Sequence, residues 1–460
     1  MNTIILLSIA GIIILATGLF KMHRWILTIS LLTCILAFFV NIYLNPSGSY
    51  YHNMITVDGF SIKFSGLLIF QTFMVILLCG FYYSREIEHL ADIYSLIIFS
   101  LVGGLLMVSY TNLVMFFVGL ETLSIPLYVL AASHRTDKLS SESGVKYFIF
   151  GSFQTCLLIL GIAFIYGATN SFDALEIADY VKIHSTELPV LFKMGVVLLL
   201  SAFAFKVAAF PFHFWAPDVY QGAPTAITAF MATVVKTSAI ASLLRLVIIV
   251  FAGKHEIWFY TLLGFTALTI IVGNITALYQ TSFKRLLAYS GISNAGFLMI
   301  TIVAFNSKSE SVMLYYLLVY SIATIAAFSI FIAVKEQLGV DELTNFKGTY
   351  IKNPLLTAAL TVSMLSLAGI PPLAGFFAKY YLLMNAVSEG FIWLAVLAII
   401  TSVIGAYYYL RIVGYLYNRK EVVGNPIEIS TMYKIILYFS IVALVVLGLF
   451  PNLVLRIIFF

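Results

Sequence analysis

Apolar stretches of about twenty residues follow one another almost from end to end, and this alternation constrains the fold more than any other feature. They fall near residues 3–20, 25–44, 60–82, 91–109, 112–132, 144–168, 190–212, 224–251, 256–279, 284–304, 311–334, 354–385, 391–417 and 432–459. A helix needs roughly 20 apolar residues to cross a bilayer core. The pattern therefore predicts an all-α polytopic membrane protein of about fourteen transmembrane helices. Composition agrees: 62% of residues are hydrophobic and 10% charged, against about half and a quarter in soluble domains. No polar stretch is long enough for a separate soluble domain, the longest loops being 169–189 and 335–354. The first segment lacks a basic leader and a small-residue cleavage site before Lys21, so it reads as a retained helix rather than a signal peptide.

Several function classes drop out. Cys34, Cys79 and Cys156 stand singly in apolar segments, which provides no disulfide framework, zinc site or iron–sulfur cluster within this chain alone. There is no phosphate loop, dinucleotide fingerprint or paired-histidine zinc motif. The net charge of +5 fits loop orientation and implies no nucleic acid.

An even number of spans puts both termini on one side. One set of loops holds Lys21, Arg24, Arg85, Arg135, Lys138, Lys284, Arg285, Lys335, Lys347, Lys352, Arg419 and Lys420. The opposite set is cation-poor (Lys182, Lys254, Lys308) and contains Asp173, Glu176, Asp179 and Glu187. By the positive-inside rule the first set is cytoplasmic and both termini lie on the other face.

Two apolar segments are interrupted. In SAFAFKVAAFPFHFWAPDVYQGAP (201–224) Lys206 precedes Pro211, His213, Pro217 and Asp218. A proline removes a backbone donor and clashes with the carbonyl four residues back. Pro211 should therefore free the carbonyl of Val207, and Pro217 that of His213. The second interruption, in 354–386, is Gly369-Ile370-Pro371-Pro372, followed by Gly375 and Lys379; it should free the carbonyls of Leu367 and Ala368. Helix C-termini carry partial negative charge and favour a cation, and broken helices in a membrane line cavities or lie buried in protein. Lys206 and Lys379 are 173 residues apart, and the same shift carries Glu121 onto Asn294 and Lys236 to within two residues of Arg411. Five helices fall in each unit, so the second copy should be inverted. Matching interrupted helices in inverted repeats mark a transport site. The expected division is three helices in 1–90, repeats in 91–255 and 256–420, and a last helix in 421–460.

The intramembrane charges are the candidate site. Glu121 lies mid-helix in LVMFFVGLETLSIPLYVL, with Ser124 and Tyr128 on its face. A central carboxylate costs about 2.5–3.5 kcal/mol on insertion scales, so it should be interior and paired; a purely structural ion pair is the alternative. With Lys206 it would form a switch, since closing the pair holds the lysine charged and opening it favours release. Lys236 shares a stripe with Thr225, Ala229, Ala232 and Ala239, a small-residue face suited to helix packing. Arg245, nine residues on, falls on the opposite side at ~100° per residue, where snorkelling or a structural contact outweighs proton transfer. Lys379 ranks with Lys206. For Lys146, near a helix start, snorkelling competes with function. His213 suits proton shuttling or a hydrogen-bonded core, and Asp218 suits a cap or a solvated charge.

On these residues the chain resembles the subunit N family of the proton-translocating NADH–quinone oxidoreductases, respiratory complex I, over nearly its whole length. The most specific pieces are FKVAAFPFHFWAPDVYQGAPT (205–225), QTSFKRLLAYSGISNAG (280–296) and LAGIPPLAGFFAKYYL (367–382). The resemblance implies fourteen helices, two inverted five-helix repeats, one proton channel, and a subunit of an enzyme that carries no redox centre itself. FMN, iron–sulfur clusters, NADH and quinone would belong to other subunits of the complex. Its partners would be other membrane subunits, including antiporter-like siblings, in a bacterial inner membrane with periplasmic termini. It assigns Glu121, Lys206, Lys236 and Lys379 to a proton relay, with Lys146 and His213 also on family positions. One departure is Asn294, where relatives often carry histidine; a relay there would need water or a neighbour such as Tyr289. Two other classes stay open: a subunit of a multisubunit cation/proton antiporter or membrane-bound hydrogenase, and a membrane scaffold with idle charges.

Overall fold

The computed structural model describes residues 1–83, 89–184, 187–251, 256–338, 341–418, 427, 429 and 431–452. Arg85, Lys254, Arg419 and Lys420 of the loop-charge argument lie outside the described residues. The fold is all-α and polytopic. Among the described residues twelve helices are long and apolar enough to cross a membrane, and Pro354–Ala368 and Tyr433–Leu449 are shorter apolar helices. Their sides facing away from the protein are rich in exposed leucine, isoleucine, valine and phenylalanine, as lipid contact requires.

The chain forms two compact units: Met1–Ile76, Glu86–Ile227 and Val234–Thr266, and Leu77–Arg85, Thr228–Thr233 and Ala267–Phe460. In the first, Asn2–Leu19 packs on Leu90–Ser109, which in turn packs on Leu113–Ala131; Lys138–Thr169 lies against Val190–Val207. The last crossing is close because Gly161 and Gly195 face each other. A Cβ on Gly195 would sit 2.9 Å from the Gly161 carbonyl, and one on Gly161 would sit 2.9 Å from the backbone nitrogen of Leu199. Gly195→Val should therefore lower stability by about 1–3 kcal/mol through overpacking. The check is the thermal midpoint of the detergent-solubilised protein, where an unchanged midpoint would mean the helices can spread freely.

In the second unit Ser309–Leu338 packs against Pro354–Ala368, Ala374–Ser388 and Thr431–Leu449. Gly375 makes the turn between the half-helices possible, since a Cβ there would fall 1.7 Å from the Ser366 carbonyl oxygen.

Two elements lie outside the sequence expectation. A hairpin pairs Gly48–Tyr50 with Ile55–Val57 in antiparallel register. Within the acidic loop, Ala174–Ile183 is a helix. Asp173 caps it by accepting from the amides of Leu175 and Glu176, and Ala174, Ile177, Ala178 and Val181 form its buried stripe. That i, i+3, i+4, i+7 spacing is short but regular.

Both interruptions are present, and they close alike. Val190–Val207 ends at Ala208, in left-handed conformation (φ 59°); Ala208 N–H bonds the Phe205 carbonyl and Ala209 N–H the Ala204 carbonyl. Pro354–Ala368 ends at Gly369 (φ 83°), with Gly369 N–H on Ser366 and Ile370 N–H on Leu365. These are the paired 5→2 and 6→1 bonds of a Schellman cap. Pro217 departs from expectation. It sits in the first turn of Trp215–Gly222, where a missing N–H is harmless, and the His213 carbonyl accepts from Ala216 N–H at 3.1 Å.

The shared cap also corrects the register between the interruptions. Gly369 follows Ala208 by 161 positions, whereas the lysines are 173 apart. Lys206 thus stands before its break and Lys379 after its own.

Candidate functional site

Lys206 is in the last turn of Val190–Val207 and is only 1% exposed. Its ammonium donates to Ser124 Oγ at 2.6 Å and lies 5.6 Å from the centre of the Tyr147 ring. Ser124 in turn donates to the Leu120 carbonyl. Trp215 stacks behind Tyr147 at 4.9 Å and donates through Nε1 to the Phe205 carbonyl. The lysine is therefore held between Ser124 of Leu113–Ala131 and the Tyr147 ring of Lys138–Thr169, which Trp215 of the helix after the break backs.

Glu121 occupies the neighbouring helix Leu113–Ala131. Its Oε1 accepts from Thr155 Oγ1 at 2.6 Å. Among the described residues no ion pair joins it to Lys206, although its charge acts on that ammonium. The direct pair is thus replaced by two hydroxyl contacts, Ser124 and Thr155, one to each charge. Glu121 is also half-exposed at the surface of this chain, with Val118 and Ile125 exposed on either side. The fully interior position expected from burial cost is not what this chain alone provides.

Lys146 forms ion pairs at 2.7 Å with both Asp218 and Glu142, all three more than a third exposed. The pair to Asp218 ties the helix after the break to Lys138–Thr169. Sequence spacing did not foretell it, because the partners lie 72 residues apart. His213 is 3% exposed, its ring lies 4.3 Å from that of Phe214 and tilted by 32° to it, and its Nδ1 has no partner among the described residues.

Lys236 is 3% exposed at the end of a π-turn, Met231–Val235, inside Thr225–Ile249. A π-turn widens the helix by one residue and often marks a functional position. Among the described residues its ammonium has neither hydrogen-bond nor ion-pair partner, while the adjacent Thr237 accepts from Gln71 at 2.8 Å. Arg245 is equally buried but fully engaged: it pairs with Asp58 at 3.1 Å, donates to the Tyr110 carbonyl at 2.7 Å, and lies over Phe60. Arg245→Ala should thus cost stability, by about 1.5–3 kcal/mol for the charged hydrogen bonds lost, and Lys236→Ala should not. Thermal melts of the two variants check this; equal destabilisation would reassign Lys236 as a structural residue.

In the second unit Lys379 donates to the Ala368 carbonyl at 3.1 Å and to Ser402 Oγ at 3.0 Å, over the Phe297 ring at 5.1 Å. The Ala368 carbonyl is one the break was expected to free. Asn294 accepts from Tyr316 at 2.7 Å and donates to the Ser290 carbonyl at 2.8 Å. Tyr409 lies 3.4 Å from Asn294 Nδ2 and shares a short hydrogen bond with Ser290. Asn294, Tyr316, Ser366 and Lys379 line one small cavity, with room for roughly one water. Tyr316, rather than Tyr289, is the neighbour that engages Asn294.

Interrupted apolar helices, buried lysines at their breaks and no group of metal-ligating side chains among the described residues define a polytopic, antiporter-like membrane subunit. The sequence matches the family model "NADH:quinone oxidoreductase/Mrp antiporter, TM" over residues 110–405. It is 42% identical to NADH-quinone oxidoreductase subunit N of Cytophaga hutchinsonii, over 99% of each chain. A chain of respiratory complex I from Thermus thermophilus superposes with a TM-score of 0.84 at 33% identity, covering 99% of this chain and 98% of that one. The fold is also that of a chain of the Mrp complex from a Dietzia species, with a TM-score of 0.86 at 20% identity, over 100% of this chain and 96% of that one. The chain belongs to the NADH-quinone oxidoreductase subunit N family, and so to the membrane subunits of complex-I-like respiratory assemblies.

Proposed function

We propose that this chain conducts protons as the subunit N component of an NADH–quinone oxidoreductase, coupling electron transfer elsewhere in the complex to proton pumping. The observation that carries the reading is the buried Lys206 ammonium, held by a single neutral hydroxyl at the end of an interrupted helix, with a carboxylate on the adjoining helix. A lysine whose direct hydrogen-bond partner is neutral can give up and regain its proton without breaking an ion pair. Glu121, Lys206, Lys236 and Lys379 form the relay, with Lys146 and His213 as further members. The chain supplies proton transfer; FMN, iron–sulfur clusters, NADH and quinone act on other subunits.

In this reading the membrane carries fourteen spans, with three in 1–90, inverted repeats in 91–255 and 256–420, and one in 421–460. Identical caps at the two interruptions support the repeats. The loop charges support periplasmic termini in a bacterial inner membrane. Half-exposed Glu121, amid exposed apolar residues, supports a neighbouring membrane subunit on that face, because a carboxylate facing lipid is costly.

The test is to purify the protein from its native membrane, identify the subunits that accompany it, and reconstitute the assembly in vesicles. NADH oxidation should drive proton movement. Proton exchange driven by a sodium gradient, with no response to NADH, would instead establish a cation/proton antiporter.

A further inference from the structure

The last helix, Thr431–Leu449, ends against the second interruption, and two of its residues are suited to that contact. In a helix the carbonyl of residue i accepts from the N–H of residue i+4. For Leu447 that residue is Pro451, which has no N–H, so the Leu447 carbonyl is left open to another donor. Tyr315 of Ser309–Leu338 takes it, donating from its hydroxyl at 2.9 Å. Tyr315 is 0% exposed. Its ring meets that of Tyr381, two residues after Lys379, edge to face at 6.0 Å.

The next residue, Gly448, packs on the break itself. A Cβ there would stand 2.7 Å from the Ala374 nitrogen and from the Leu373 carbonyl carbon, and closer still to the Pro372 carbonyl oxygen. All three are main-chain atoms, which cannot swing aside as a side-chain tip can. Leu373 and Ala374 are buried and open the half-helix Ala374–Ser388, which carries Lys379. From Ala374 to Lys379 is about 7.5 Å along the axis at 1.5 Å per residue, so the seat of the first turn sets the height of the lysine. Its ammonium has little latitude. The bonds to the Ala368 carbonyl and Ser402 Oγ are 3.1 and 3.0 Å long, and a further ~0.6 Å would break either.

We propose that Leu447 and Gly448 form a strut, tethered by Tyr315, that seats the start of the second half-helix and so fixes where the Lys379 ammonium stands. The three are positioning residues, acting on proton transfer only through Lys379. The inference rests on the place of Lys379 in the proton-transfer reading above.

The experiment uses the intact complex in vesicles, with NADH-driven proton uptake compared at equal assembly. Gly448→Ala needs about 1 Å of retreat to restore carbon contact at ~3.5 Å, and a misplacement of that size should lower uptake ~100-fold. Tyr315→Phe releases the tether without adding bulk and should lower uptake ~5-fold, the worth of one hydrogen bond. Ser402→Ala, which removes one of the two Lys379 partners, should do about the same.

A double-mutant cycle separates positioning from packing. With the strut displaced, the bond to Ser402 is already broken, so adding Ser402→Ala to Gly448→Ala should cost little more. A packing role predicts that the two losses multiply, and multiplied losses overturn the proposal. So does wild-type uptake in Gly448→Ala, or in Ser402→Ala alone. Should Gly448→Ala not assemble, the same cycle with Tyr315→Phe decides by the same criteria. Lys379→Ala is the control. If it loses uptake while Gly448→Ala and Tyr315→Phe pump normally, the strut is refuted and the relay stands; normal uptake in Lys379→Ala removes the lysine from the relay, and the strut with it.

Discussion

Lys206→Ala should assemble normally and lose NADH-driven proton uptake by ~100-fold or more, as expected on removing a positioned proton-transfer group. Assembly should survive because the helix end beside it is closed by backbone bonds from Ala208 and Ala209, which the lysine side chain does not touch. Ser124 keeps its bond to the Leu120 carbonyl when the ammonium is gone. Removing a buried charge also relieves a desolvation penalty, so the variant should melt no lower than wild type. Lys206→Arg should fail too, since arginine keeps its proton, and its larger head must fit where the Tyr147 ring already lies 5.6 Å away. The measurement is uptake per assembled complex, alongside a melt. An alanine variant that pumps at the wild-type rate removes Lys206 from the mechanism.

The second large effect concerns Glu121. Unit charges ~4 Å apart attract by about 4 kcal/mol at an effective dielectric near 20, and a pair somewhat beyond that reach still shifts a proton equilibrium by ~10-fold for every ~1.4 kcal/mol that remains. Glu121→Gln should therefore cut uptake strongly, and Glu121→Asp should keep part of it. Because Lys206 bonds Ser124 and Glu121 bonds Thr155, the coupling should run through these hydroxyls. Ser124→Ala and Thr155→Val should each weaken it while leaving both charges in place. A double-mutant cycle of Glu121→Gln with Lys206→Ala measures the coupling directly. Strict additivity of the logarithms of the rates would show that the two charges act independently.

The helices, both interruptions and the buried lysines were legible in the sequence, because a charge or a Gly-Ile-Pro-Pro run inside an apolar stretch has no ordinary explanation. The partners were not. Thr155, Ser402 and Tyr316 are hydroxyl residues in apolar helices, and such residues often bond only their own i−4 carbonyl. Thr155 does so with Gly151 while also serving Glu121, so its second role leaves no trace in spacing. Pro217 misled for a different reason. A proline breaks a helix interior but is harmless in a first turn, and where that turn begins depends on a helix start that spacing does not fix. The lysines misled in a third way, since their interval suggested a register that the caps do not share.

That difference in register has a use in protein engineering. Both interrupted helices are closed by the same pair of main-chain bonds, which neither lysine makes, so the break is a frame and the ammonium an insert. In the cap register Leu367 takes the place of Lys206, and Lys379 takes that of Asp218. The two frames are thus loaded differently: one has a cation before the break and an anion after it, and the other has a cation only after it. A designer could move the charges without rebuilding the scaffold, treating each frame as a socket whose contents set what passes through it.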